Sequence, residues 1–298
     1  MTAAVAGEHH KPCLADAVLS LIRPGGMKLF VDCTVGEGGH LEAVLKGMPA
    51  DGVAAGLDRD PEIIEVAQER LRRFGDRVRL FVGSYAQVDE VVVELGGDRA
   101  DGLVFDLGLS TYHFRMPRGF AFASDTPLDM RFDRSAPDRT AADIVNTCSE
   151  GELREALRTF GEEKRAGRIA KAIVEARRGG RIETTGQLSA VVEKASGRPG
   201  RIHPATRTFQ ALRILVNGEL DHLRDVMEKV PGLLSRGGRA VFISYHSLED
   251  RIVKQAMRCW ESDGRCTTLT KKPLTATDEE RGDNLRCRSA KLRASERR

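Results

Sequence analysis

Leu29-Phe30-Val31-Asp32-Cys33-Thr34-Val35-Gly36-Glu37-Gly38-Gly39-His40-Leu41 is the stretch on which the fold turns. An apolar run of strand length gives way to a glycine-rich loop, and a helical pattern follows. Glycines at such a turn let the backbone approach a ligand, whose negative groups then meet the N-terminus of the helix. The next apolar run, Val53–Asp58, ends in a carboxylate 20 residues after Gly38. An acid at that distance would accept both ribose hydroxyls of an adenosine moiety. A glycine loop alone is a weak signal, but strand, loop, helix and acid in this order predict a nucleotide-type site.

The alternation continues outward. Val78–Gly83 and Leu103–Asp106 are further short apolar runs, and between Pro61 and Phe74 the residues Ile63, Ile64, Ala67 and Leu71 share one helical face. Pro61 starts that helix and Gly75 stops it. Buried strands separated by helices predict a parallel, doubly wound α/β sheet. From Leu109 to about Val216 no comparable strand is found, and capping boxes at Ser149-x-x-Glu152 and Thr184-x-x-Gln187 open helices instead. The sheet pattern resumes with a helix near 219–234, a Gly237-Gly238 turn and a strand over Arg239–Tyr245. The expected organisation is an α/β domain over 1–108 and 217–298, interrupted by a helical insertion over 109–216. The last forty residues are polar, with a basic end expected to be mobile or strapped along the sheet.

The chain has 298 residues, of which 41% are hydrophobic, enough for a core without disulfide support. No run of 18 apolar residues exists, so a membrane span is not expected. The stretch from Met1 to Pro12 lacks the basic start and apolar run of a signal peptide. Six cysteines are scattered without a C-x-x-C pair, which argues against a zinc site and a disulfide scaffold and for a reducing compartment. The net charge of +3 hides an asymmetry: −7 over residues 1–108, +6 over 109–216 and +4 over 217–298. That split suits a small or cationic ligand on one part and a polyanion on the other.

A dinucleotide fingerprint starting at Gly36 needs glycine at position 41, where Leu41 stands. The surroundings are acidic (Asp32, Glu37, Asp58 and Asp106), which favours a cation over a pyrophosphate. S-adenosylmethionine, with a sulfonium and an ammonium, is therefore expected rather than a nicotinamide dinucleotide.

Seven strings taken together then resemble one family: Asp32–His40, Leu57–Pro61, Asp106–Ser110, Arg118–Phe120, Pro127–Arg131, His203–Ile214 and Ser244–Arg251. They are similar to the bacterial 16S ribosomal RNA methyltransferases that modify the exocyclic N4 of a decoding-centre cytidine. The ending Asn284-x-Arg286-x-Arg288-Ser289 is similar as well. The resemblance implies a class I S-adenosylmethionine-dependent methyltransferase fold (Rossmann-like) with a helical insertion. It also implies cofactor contacts through Gly38, Gly39, His40, Asp58, Tyr85 and Asp106. A glutamine common in the family is replaced by His113, which can still donate or accept a hydrogen bond.

The exocyclic amine of cytosine is a poor nucleophile, so transfer needs close positioning and an acceptor for an amine hydrogen. The Asp-Pro-Pro-aromatic string of DNA amino-methyltransferases is absent after Asp106. The catalytic candidates are therefore His246, Asp250 and Asp106. Ser247 and Asp250 also fit a capping box, whereas nothing in capping calls for His246. Thr206, Gln210, Arg213 and Asn217 form a thin polar stripe on a mostly apolar helix, which reads as a pocket wall or a structural network. Lys164, Arg165, Arg168 and Lys171, with Arg177, Arg178 and Arg181, look like a solvated face as well, but Arg198, Arg201 and Arg207 extend the excess, and phosphate contacts to RNA are expected from the series. The target base must be single-stranded or flipped out. The expected protein is cytoplasmic and acts on 16S ribosomal RNA within the small subunit, with no metal and no membrane. A non-catalytic assembly factor would not need the intact loop, and a nicotinamide oxidoreductase conflicts with Leu41.

Overall fold

The computed structural model describes residues 12–197 and 202–298, so the Met1–Lys11 stretch and the basic positions Arg198 and Arg201 lie outside the described residues. The chain forms two compact units, one made of the described residues up to Ser110 with Asp221–Arg298, the other of Thr111–Leu220.

The first unit is built on one sheet of β1 (Leu29–Asp32), β2 (Val53–Asp58), β3 (Val78–Val82), β4 (Ala100–Asp106), β5 (Leu234–Ser244), β6 (Cys266–Thr268) and β7 (Lys291–Arg297). The strand order is β3-β2-β1-β4-β5-β7-β6. Strands β1 to β5 pair in parallel, and β7 runs antiparallel to both β5 and β6. This is the doubly wound sheet of the class I methyltransferases. Parallel strands must be covered on both faces, and they are. One face carries α1 (Ala15–Ile22), α2 (Gly39–Gly47) and α3 (Pro61–Leu71), through Val18, Leu41, Val44, Ala67 and Leu71. The other carries α4 (Val88–Glu94) and α11 (Glu219–Leu233), with α12 (Ser247–Ser262), through Val92, Val226, Val253 and Trp260. The chain order reverses between β1 and β4, so the crevice beyond their carboxyl ends is the natural ligand position.

The second unit is helical: α5 (Thr111–Arg115), α6 (Ala141–Thr147), α7 (Glu150–Gly161), α8 (Ala166–Ala176), α9 (Thr185–Ser196) and α10 (Thr206–Asn217). Both expected capping boxes are present, at Ser149/Glu152 and Thr184/Gln187. The strings Arg118–Phe120 and Pro127–Arg131 support this unit from within. Met130 N–H donates to the Arg118 carbonyl at 2.8 Å, and Asp129 grips Arg131 through both oxygens at 2.8 and 3.0 Å.

Three expectations change in the first unit. The Gly237-Gly238 turn is present, but as an excursion inside β5: Ala100 pairs with Leu234 while Gly102 already pairs with Arg239. The basic ending is neither a tail nor a strap. Strand β7 lies between β5 and β6, with Leu292 and Ala294 fully buried. Its alternation is masked by Lys291, Arg293 and Arg297, and α13 (Asp278–Asp283) precedes it. Finally, Cys13 and Cys287, 274 residues apart, form a disulfide that spacing could not reveal. Among the described residues no helix is long and apolar enough to cross a membrane, and no His, Cys, Asp or Glu cluster is arranged to hold a metal ion.

An internal strand cannot be spared. Leu292→Ala should lower unfolding stability by about 2–5 kcal/mol in urea titrations, and truncation after Ala290 should abolish cooperative unfolding. A truncated chain that melts like the full one would refute the placement of β7.

Candidate active site

The loop after β1 is held from both sides. Cys33 N–H donates to the Val104 carbonyl at 2.8 Å and Val35 N–H to the Leu57 carbonyl at 2.7 Å, fixing the loop to β4 and β2. Gly38 sits at φ 82° and heads α2, and a Cβ there would stand 3.1 Å from Leu71 Cδ1. The left-handed backbone and the close side chain both select glycine. Gly36 N–H donates to Asp58 Oδ2 at 3.0 Å, and Asp60 N–H donates to Oδ1 at 3.1 Å. Asp58 thus braces the loop against the start of α3, and a carboxylate has lone pairs to accept further donors.

Behind the loop lies a buried acidic cluster. Asp32, at the end of β1, is wholly inaccessible; Thr34 N–H donates to its Oδ1 at 3.2 Å and its Oδ2 has no hydrogen-bond partner. Burial pushes its carboxyl up to about 7, with the charges of Asp106 and Asp58 adding to the rise and His40 and the Thr34 N–H opposing it. Asp106, at the end of β4, donates its own N–H to Thr34 Oγ1 at 2.6 Å, while its Oδ1 is buried without a partner. Its Oδ2 lies 3.7 Å from His40 Nε2, beyond a hydrogen bond but close enough for strong coupling. Burial favours the neutral acid here too, yet His40, Arg286 and Tyr245 outweigh it and hold the Asp106 carboxyl below its usual range. Burial first, and then the Asp106 charge, keep the Tyr245 hydroxyl protonated. The Tyr245 ring closes on Gly108, where a Cβ would fall 2.4 Å from Cε2. The Arg286 guanidinium lies 5.8 Å from the centre of that ring.

The sheet brings Gly38, Gly39, His40, Asp58 and Asp106 to one edge, beyond the carboxyl ends of β1, β2 and β4. Tyr85 follows β3 and meets Phe105 and His222 edge-on, with ring centres at 6.2 and 6.4 Å, so part of its surface serves packing. His113 belongs to the second unit, where its buried ring packs against Phe120 and Phe132.

His246 is itself the cap of α12, which corrects the expectation that capping has no use for it. Its side chain accepts from Glu249 N–H at 3.4 Å, Glu249 Oε2 accepts from Tyr245 N–H at 2.9 Å, and His246 Nε2 lies 3.0 Å from Glu249 Oε1. The box is thus His246/Glu249 rather than Ser247/Asp250. Asp250 pairs with Arg293 at 2.7 Å and Lys291 at 3.5 Å, tying α12 to β7. The polar stripe of α10 is a structural network rather than a pocket wall. Gln210 donates to the Phe160 carbonyl, Arg213 pairs with Glu219, and Asn217 accepts from Phe132 N–H while donating to the Met130 carbonyl.

The sequence assigns no role to Tyr245 or Arg286, and counts Asp32 only among the acidic surroundings that favour a cation. All three stand inside family-like strings, Arg286 in the ending Asn284-x-Arg286-x-Arg288-Ser289, and the fold sets Arg286 beside the Tyr245 ring.

The donor set fits S-adenosylmethionine. Two buried acidic oxygens without hydrogen-bond partners, Asp32 Oδ2 and Asp106 Oδ1, call for positive charge or N–H donors. A pyrophosphate would meet them with repulsion, whereas a sulfonium and an ammonium would not.

Comparison with known proteins agrees with this chemistry. The ribosomal RNA small subunit methyltransferase H of Geobacter sulfurreducens is 46% identical, the match covering 96% of this chain and 98% of the relative. The protein of the same name from Persephonella marina is 44% identical, with 97% and 99% covered. Among solved structures, an rRNA methylase from Streptococcus thermophilus aligns over 95% of this chain and 93% of its own, at 12% identity and a TM-score of 0.44. The family described as MraW methylase matches residues 7–298, nearly the whole chain, and the protein belongs to that family.

Proposed function

We propose that this methyltransferase modifies the exocyclic N4 of a decoding-centre cytidine in 16S ribosomal RNA, within the small ribosomal subunit and in the cytoplasm. The observation that carries the reading is Asp106: buried at the end of β4, held ionised, with one oxygen lacking a hydrogen-bond partner. Curated relatives named as small-subunit ribosomal RNA methyltransferases support the substrate class.

Gly38, Gly39, His40, Asp58, Tyr85 and Asp106 are the residues of the first unit assigned to the cofactor. Bound S-adenosylmethionine supplies an electrophilic methyl group on a sulfonium. The loop would orient it, Asp58 would accept the ribose hydroxyls, and Asp32 and Asp106 would offset its positive charge. Asp106 also offers the acceptor nearest an incoming amine, which would localise the nitrogen lone pair for in-line attack. His246 and Asp250 hold the segment after β5, one by capping α12 and the other by pairing with β7.

The second unit supplies the RNA surface. On α8, Ile169, Ala170 and Ile173 are buried while Arg168 and Lys171 are exposed, with Lys164 exposed just ahead of the helix. Three of the basic residues donate to backbone carbonyls of the same unit: Arg165 to Ser196, Arg177 to Val145 and Cys148, and Arg207 to Glu162. Phosphate contacts of this kind position RNA without reading bases.

Four outcomes test the reading. Radiolabelled methyl transfer to small subunits from cells lacking this enzyme should yield N4-methylated cytidine; label on another nucleoside or none would overturn it. In that assay His246→Ala, by loosening the segment after β5, should slow single-turnover transfer by about 10²-fold. His246→Asn, a good cap, should recover most of the rate; failure to recover would assign the proton acceptor to His246. Lys164, Arg168 and Lys171 changed together to Gln should weaken RNA binding and reduce its log–log salt slope by about 2. An unchanged slope would make that face ordinary solvated surface. Lastly, Asp32 is poised at about 7, so a cation bound beside it should release roughly half a proton at pH 7. Calorimetry of S-adenosylmethionine, without RNA, in buffers of different ionisation heat reads this directly, and Asp32→Asn should remove the buffer dependence.

A further inference from the structure

Tyr85 stands on a 3-10 turn of only three residues, Tyr85–Gln87, between β3 and α4. So short a turn has little internal bonding to fix its own side chains, and contacts from elsewhere decide where they point. The turn starts beside the acid assigned to the ribose: Gly83 N–H donates to the Asp58 carbonyl at 2.8 Å, and Ser84 and Tyr85 follow. Ser84 caps the turn. Its Oγ accepts from Ala86 N–H at 3.2 Å, while the Gln87 side chain accepts from Ser84 N–H at 3.2 Å. With the ribose at Asp58, the base of the cofactor falls toward this turn.

Helix α11 grips the turn at both ends. His222 Nδ1 lies 2.7 Å from Ser84 Oγ. Ser84 is buried, so its hydroxyl finds this partner where water is scarce. The His222 imidazole also packs against the Tyr85 ring at 84°, with ring centres 6.4 Å apart. Phe105 of β4, wholly buried, meets the same ring at 81° and 6.2 Å. Seven residues on, two turns along the same face of α11, stands Lys229. Its Nζ donates to the Ala86 carbonyl at 2.7 Å and pairs with Asp89, in the first turn of α4, at 2.8 and 2.9 Å. His222 and Lys229 thus hold the residues before and after Tyr85, and His222 packs on its ring as well. Covering the sheet needs only the apolar face of α11, through Leu223, Val226 and Val230, and calls for neither polar residue.

We propose that His222 and Lys229 are positioning residues for the adenine end of the cofactor: they set the turn and the direction of the Tyr85 ring, His222 being the principal one. Neither residue needs to touch the ligand. A ring set in advance spares the ligand the cost of ordering it on binding. The inference rests on the assignment of Tyr85 to the cofactor and extends it to a helix that otherwise only covers the sheet.

The test is a double-mutant cycle read by calorimetry on the full chain. The ligands are S-adenosylhomocysteine and 5′-methylthioadenosine, which keeps adenine and ribose but lacks the amino-acid end. His222→Ala should weaken both ligands alike, by about tenfold. Lys229→Met, which keeps the apolar stem, should weaken them by about threefold, since its ion pair is partly exposed. His222→Asn places an amide near the Nδ1 position and should recover part of the loss. In a Tyr85→Leu background His222→Ala should cost little more, because the ring it positions is gone. Lys229→Met carries the same cycle if His222→Ala does not fold. Full additivity in the Tyr85→Leu background, a loss confined to S-adenosylhomocysteine, or unchanged affinity in both His222→Ala and Lys229→Met would overturn the proposal. Tyr85→Leu with wild-type affinity would remove Tyr85 from the cofactor site, and the proposal with it. Wild-type protein that binds neither ligand would instead refute the cofactor reading itself.

Discussion

Two carboxylates buried on adjacent strands, Asp32 on β1 and Asp106 on β4, impose the constraint around which the site is built. Two like charges in a low-dielectric setting cannot both ionise without compensation. The protein divides them. Asp106 receives His40, Tyr245 and Arg286 and stays charged, while Asp32 receives a single backbone N–H and sits near neutrality. The glycine loop, which carries His40 at its end, and the Gly108 gap filled by Tyr245 both serve this division. Environment separates two chemically identical groups, which is how one site can hold both an acceptor and a proton reservoir.

Much of this was legible in the sequence, for definite reasons. The strand–loop–helix around Gly36–Gly39 announces itself because each glycine answers a local demand, and Asp58 because strand length fixes where an acid can fall. Capping boxes at Ser149 and Thr184 were readable since a cap is a four-residue affair. His246 misled because its imidazole performs a task usually given to a shorter side chain, with Glu249 completing the box. Strand β7 escaped because Arg293, though charged, is buried by pairing with Asp250 of α12. A periodicity search counts Arg293 as polar, whereas the sheet treats it as core. Contacts between chain ends, such as Cys13 with Cys287, have no local signature at all.

The helical unit shows the opposite balance between motif and function. Strings that mark the family there, from Arg118 to Arg131 and along α10, are engaged in holding that unit together. Asn217 joins α10 to the loop at Met130 and Phe132, and Gln210 reaches the last turn of α7. What faces solvent is the looser basic series on α8, whose members follow no motif. That division is physically sensible: a hydrogen-bond network demands particular side chains, while attraction to a phosphate backbone, the role proposed for this face, demands only charge at roughly the right distance.

The cost of the acidic cluster falls on the ligand-free protein. The Asp32 carboxyl has its folded value raised from 3.8 to about 7. Its contribution to stability is thus fully present below pH 4 or so and is lost as pH rises through about 7, a swing on the order of 4 kcal/mol. Asp106, whose value is lowered, works the other way and contributes above its unfolded range. Above neutrality, then, Asp32 is ionised beside Asp106 and the pair repels, with only His40, Tyr245 and Arg286 to offset it. A cation lodged between loop and sheet edge would remove that repulsion. Part of the binding energy for a cationic cofactor is therefore already stored in the fold, as unrelieved repulsion between two acids that the strand order forces together.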